Sequence, residues 1–167
     1  MTAEEIKQYL TELNDELRLK DIKGEVSLYR GAVMCLAFKT RPATKDVDAI
    51  FEPVREIRNA ARRVAERHKL DIDWLNLAVK MFVVEHVRSV LFDLSNLKVT
   101  IPQPEYLLAM KVLALRPDTE DENDTDFLIR RIGLKNPGEV LDIVADFYPK
   151  KVVKDEVVLW IENYFDK

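Results

Sequence analysis

Apolar positions change period several times along the chain, and each change marks an element. Ile6, Leu10, Leu13 and Leu17 recur at helical spacing behind Thr2-Ala3-Glu4-Glu5, where Thr2 suits an N-cap and Glu5 its capping-box partner. Lys23-Gly24 breaks that helix. Glu25 to Tyr29 alternates, and Gly31 to Phe38 is a small and apolar run, which predicts a strand, a tight turn at Gly31 and a buried helix. Thr40-Arg41-Pro42 ends it. Lys45 to Phe51 reads as a second strand, and Pro53 opens the next helix at its favoured first position. Val54, Ile57, Ala61, Val64 and Ala65 form the buried stripe of that helix, with Arg55, Arg58, Arg62, Arg63 and Arg67 on its outer face.

Asp73 is placed to cap a further helix through about Phe82, with Trp74 and Phe82 as its largest apolar anchors. Val87 to Leu91 and Leu97 to Ile101 read as two strands joined by the turn Asp93-Leu94-Ser95-Asn96. Pro102-Gln103-Pro104 then stops the strand before a helix from Glu105 to Leu115. After an acidic loop, Asp118 to Asn123, a helix from Asp126 to Ile132 is closed by Gly133. Asn136-Pro137-Gly138-Glu139 starts another, and Val157, Ile161, Tyr164 and Phe165 mark the last. This order predicts an α+β protein, a small mixed sheet flanked by helices with a helical C-terminal part. Residues 1–134 are expected to form the core, and 135–167 a helical extension packed on the same domain.

Composition narrows the classes. The chain has 167 residues, 47% of them hydrophobic and 34% charged, enough for one domain with a proper core. A net charge of −4 argues against broad DNA binding, while leaving room for a local basic patch. The lone Cys35 excludes an internal disulfide and sits in an apolar run, as a core thiol does. His68 and His86 lack Cys or His partners at zinc-ligand spacing. No basic stretch followed by an apolar one opens the chain, and no apolar run approaches the ~18 residues of a membrane span. A cytoplasmic protein with no membrane partner is expected.

The candidate chemistry lies in three pieces. Asp46 and Asp48 are two residues apart on an extended segment, so they share a face. Mg²⁺ takes one or two carboxylates plus substrate phosphates, and the pair could form half of such a site or be a surface pair. The second piece is the Gly31 turn, where backbone amides at a helix start can hold a phosphate. Arg41 either binds phosphate or pairs with a carboxylate. The third is Tyr106 to Arg116 with Asp124-Thr125-Asp126; Lys111 is either a phosphate ligand or a snorkelling helix lysine. Asp124 and Asp126 could simply favour a helix N-terminus. The arginine face of the third helix is either solvated or helps bind RNA or a phosphate-rich ligand.

Gly31 to Leu36 followed by Arg41-Pro42-Ala43-Thr44-Lys45-Asp46-Val47-Asp48 resembles the core of the nucleotidyltransferase superfamily, the minimal DNA polymerase beta-like fold. Leu107 to Lys111 with Arg116 and Asp126 is similar to small prokaryotic members near the AbiEii-type toxins. The likeness covers residues 24–134. It implies that Asp46 and Asp48 hold Mg²⁺ and that Lys111 neutralises phosphate charge, these three forming the catalytic set. It further implies that Gly31, Arg41, Thr44, Lys45 and Asp126 serve the nucleotide, Asp126 by orienting Lys111 or the acceptor. The activity implied is transfer of a nucleotide from a nucleoside triphosphate to a hydroxyl of tRNA, another RNA or a protein, in a toxin–antitoxin setting with a cognate antitoxin. Two departures support the alternative of a catalytically silent binding protein of that fold. Arg30 stands where the family has a glycine, and no third carboxylate fits a motif, although Glu85 and Asp93 lie near the expected region.

Overall fold

The computed structural model describes residues 1–167, and the chain divides into two compact units: 1–83 with 88–102, and 84–87 with 103–167. In the first unit, helix α1 (Ala3–Leu19) opens on a complete capping box. The Thr2 hydroxyl accepts from the Glu5 amide at 3.2 Å, and Glu5 Oε1 accepts from the Thr2 amide at 3.0 Å. The helix buries Ile6, Leu10, Leu13 and Leu17. Strand β1 (Gly24–Tyr29) begins on a glycine because a Cβ there would stand 2.9 Å from Ile57 Cδ1. Helix α2 (Gly31–Leu36), strand β2 (Val47–Glu52), helix α3 (Val54–His68) and strand β3 (Leu75–Asn76) follow. The hairpin β4 (Arg88–Asp93) and β5 (Leu97–Pro102) completes the unit.

The five strands form one mixed sheet in the order β3-β2-β1-β5-β4. β1 pairs antiparallel with β2 and parallel with β5, and β2 pairs parallel with β3. Parallel neighbours need a crossover, which α3 supplies between β2 and β3. Val47, Ala49 and Phe51 are buried on one face of β2, whereas Asp48 and Ile50 on the other are only half-buried. α1 packs on α3 and on α2, α3 also meets β2, and α1 meets β5.

The second unit is helical: α4 (Pro104–Ala114), α5 (Glu120–Ile132), α6 (Pro137–Phe147) and α7 (Asp155–Phe165). α4 packs on both α5 and α6, and α6 on α7, around Tyr106, Leu108, Val112, Leu128, Val144 and Ile161. Gly133 closes α5 at φ +86°, a left-handed position that glycine adopts without a Cβ penalty. Asn136 caps α6, its side chain accepting from the Glu139 amide at 3.0 Å.

The α+β class and the helical C-terminal part stand as expected, but several elements differ. No helix runs from Asp73 to Phe82. Leu75 and Asn76 instead pair with Val47 and Asp48 as β3, and a 3₁₀ turn covers Lys80–Phe82. The cause is tertiary. Trp74 is drawn into the core, its Nε1 donating to the Ala61 carbonyl at 3.0 Å, while its own carbonyl accepts from the Val47 amide at 2.7 Å. Asp73 caps nothing; its amide donates to Asp71 Oδ1 at 2.9 Å. Phe82 is 50% exposed. The acidic stretch is helical from Glu120, capped by Thr119, so its carboxylates meet the favourable end of the helix dipole. Pro53 stands one residue before α3. In the second unit α4 packs with both α5 and α6. No helix is long and apolar enough to cross a membrane.

Candidate functional site

Asp48 lies between two strands. Tyr29 of β1 is its antiparallel partner, and Asn76 of β3 its parallel one. Its side chain is only 17% exposed. Burial raises its carboxyl above the usual carboxylate range, and the charge of Asp46 adds to this. Arg30 and a hydrogen bond from Asn76 oppose the rise without cancelling it. Asp46 is exposed and lies on the bend just before β2, so only one of the two aspartates is a strand residue. Even so, the pair is close enough to repel.

The turn after β1 is strained at Arg30 and not at Gly31. Arg30 has φ 55° and ψ −133°, a conformation costing a non-glycine residue on the order of 1–3 kcal/mol. Its Nη1 stands 3.7 Å from Asp48 Oδ2, and its guanidinium carbon 5.8 Å from the Phe82 ring centre. Gly31 is closely packed by side chains. A Cβ on it would stand 3.0 Å from Thr44 Oγ1 and 3.3 Å from Arg41 Nη1. Thr44 is held by its amide on the Met1 carbonyl at 2.8 Å, and its hydroxyl donates to the Asp46 carbonyl at 3.1 Å. Arg30, Gly31, Arg41, Thr44, Asp46 and Asp48 therefore form one continuous cluster. Lys45 is exposed beside it.

No group of three or more His, Cys, Asp and Glu side chains is gathered for a metal. The donors present, two carboxylates with an amide beside them, nevertheless fit a hard cation. They repel each other in a partly dry site, and Mg²⁺ is commonly held by one or two carboxylates with phosphates and water completing its shell.

Lys111 and Asp126 lie in the helical unit, and the two are not paired with each other. Lys111 Nζ contacts Asp121 Oδ1 at 3.2 Å and Asp124 Oδ2 at 3.1 Å, with side-chain exposures of 12%, 9% and 2% for the three residues. The Arg116 side chain and amide also donate to Asp121, both at 3.2 Å. Asp126 instead accepts from Tyr164 Oη at 2.6 Å and Arg130 Nε at 2.9 Å. Asp121 and Asp124 are three apart on the buried side of α5, and that spacing aims both at the lysine.

On α3, Arg63 and Arg67 pair with Glu16, and Arg67 also with Glu12, while His68 Nε2 lies 2.7 Å from Glu12 Oε2. Arg55, Arg58 and Arg62 remain exposed. A groove of about 840 Å³ opens at the opposite end of the sheet, lined by Gly24, Glu52, Pro53, Asn96 and neighbours, and includes none of the candidate residues.

Sequence pattern alone missed Asn76, because a two-residue strand has no periodicity to detect. It also missed Asp121 as a partner of Lys111, although the spacing of Asp121 and Asp124 was a usable signal. Compared with known proteins, the chain matches no family model, no curated protein and no solved structure.

Proposed function

We propose that the first unit is a Mg²⁺-dependent nucleotidyltransferase-type site that moves a nucleotide from a nucleoside triphosphate to a hydroxyl of RNA or protein. The observation that supports this most is the cluster itself. Two repelling carboxylates, a guanidinium, a hydroxyl and a closely packed glycine meet at one end of β1 and β2. Asp46 and Asp48 hold the cation, and the Asn76 amide orients Asp48. Arg41 and the Thr44 hydroxyl face the phosphates. Mg²⁺ would supply neutralisation of the charge that builds on the phosphates during transfer. The acceptor oxygen forms a bond to the α-phosphorus, the α–β anhydride bond breaks, pyrophosphate leaves and the hydroxyl proton passes to solvent. Lys111 is outside this assignment, since two buried carboxylates already take its charge.

A catalytically silent protein of this fold, working by binding in a toxin–antitoxin pair, is the second proposal. Arg30 on Asp48, and the lack of a third carboxylate gathered with the pair, favour it. Incubation with each labelled nucleoside triphosphate, Mg²⁺ and total RNA tests the first against the second. Label transferred by the wild type and lost in Asp46→Asn/Asp48→Asn supports the transferase. Equal labelling by both would remove it, and no labelling by either favours the silent protein.

A further inference from the structure

Resting on the metal site just proposed, we infer that Arg30 is a resident counter-cation that occupies Asp48 and must leave before a divalent cation can bind there. Three observations support this assignment. The guanidinium stands 3.7 Å from Asp48 Oδ2, within ion-pair range. Its backbone is at φ 55°, a conformation suited to glycine, so the chain holds an arginine at a position that disfavours any residue with a Cβ. The Phe82 ring, 5.8 Å from the guanidinium carbon, gives the cation a second contact without burying it, for Arg30 keeps 40% of its side-chain exposure and Phe82 is 50% exposed.

A divalent cation held by Asp48 would compete for the carboxylate that the guanidinium already faces at 3.7 Å. Two cations so close repel, so the carboxylate serves one or the other. Solvent exposure gives Arg30 room to turn away. Phosphates arriving with the metal offer it a new acceptor, because guanidinium binds phosphate as readily as carboxylate. Cation binding without an anionic ligand is consequently suppressed, and binding with one is not. Phe82 acts as the rest on which the displaced or paired guanidinium lies.

Titration with Mn²⁺ alone, following the free ion by its electron paramagnetic resonance signal, tests this on the full chain. The proteins compared are wild type, Arg30→Gly, Arg30→Gln and Asp48→Asn. Arg30→Gly frees the charge and suits the backbone; Arg30→Gln removes the charge and keeps the strained turn. Both are expected to bind Mn²⁺ roughly fivefold more tightly than wild type, about what a partly exposed ion pair is worth. Asp48→Asn is expected to bind it more weakly. Equal affinities in wild type and both Arg30 variants, with loss in Asp48→Asn, would overturn the role of Arg30 and leave the metal site standing. Binding insensitive to Asp48→Asn, or absent from every variant, would overturn both. Thermal melts of the same samples identify any variant that fails to fold, and Arg30→Gln then decides alone.

Discussion

Replacing Lys111 by methionine separates a buried structural ion cluster from a phosphate-binding lysine. In the fold, the Lys111 ammonium lies 3.2 Å from Asp121 and 3.1 Å from Asp124, with Asp124 only 2% exposed. Methionine fills most of the volume but leaves both carboxylates without that charge. Removing one partner of a buried pair costs about 3–5 kcal/mol. Arg116 still reaches Asp121, which places the expected loss toward the lower end. In a chain of this size 1 kcal/mol moves Tm by roughly 2–4 °C, so the melt should fall by about 6–12 °C. The pH dependence carries a second signature. Burial pushes the Asp121 carboxyl up, but Lys111 and then Arg116 outweigh it and hold it below the usual range. A lowered native value stabilises the fold above about pH 4 and loses that contribution as pH falls through it. Lys111→Met should therefore flatten the acid limb of stability against pH. Adding Asp121→Asn and Asp124→Asn should recover most of the Tm, since no unpaired charge then stays buried, Arg116 being 76% exposed. Differential scanning calorimetry from pH 3 to about 8 measures all of this. A Tm within about 2 °C of wild type for the single variant would refute the reasoning and restore Lys111 as a ligand for substrate.

Asp48→Asn should melt at or above the wild-type temperature at pH 7. The native carboxyl is raised by burial and by Asp46, so the folded protein holds a proton more readily than the unfolded chain and ionised Asp48 costs stability. The advantage of the variant should close as pH falls through the raised value toward about 4, where the wild type is protonated too. A variant markedly less stable at pH 7 would mean that the Arg30 contact outweighs burial. Trp74→Ala should cost about 3–5 kcal/mol, because Trp74 is 2% exposed and its indole donates to the Ala61 carbonyl; urea unfolding followed by circular dichroism reads it. Its loss should also weaken the register of β3, and with it the placing of Asn76 beside Asp48.

Features fixed by near neighbours were readable in the chain. The Thr2–Glu5 capping box, β1, the β4–β5 hairpin, Gly133 and the Asn136 cap all depend on residues within a few positions, and the structure has each of them. Features fixed by distant partners were not. Asp73 looked like a cap because local chemistry allows it, but Trp74 pairing with Ala61 and Val47 outweighs a marginal short helix. Phe82 looked like core and is a surface ring over Arg30. The acidic run looked like a loop, although three carboxylates in the first turn suit a helix N-terminus. For the site, alternation along β2 set Asp48 apart from the buried Val47 and Ala49, while Asp46 lies on the bend before the strand. The contribution of Arg30 depends on a positive φ that no pattern of an arginine signals. The partners of Lys111 depend on how α4 meets α5.

Calorimetric binding of each nucleoside triphosphate to the wild type and to Asp46→Asn/Asp48→Asn, with and without Mg²⁺, tests the central claim most directly. The account predicts binding by the wild type that requires Mg²⁺ and is lost in the double variant while its melt is unchanged or higher. Binding of equal strength in both proteins, or indifference to Mg²⁺, would contradict it.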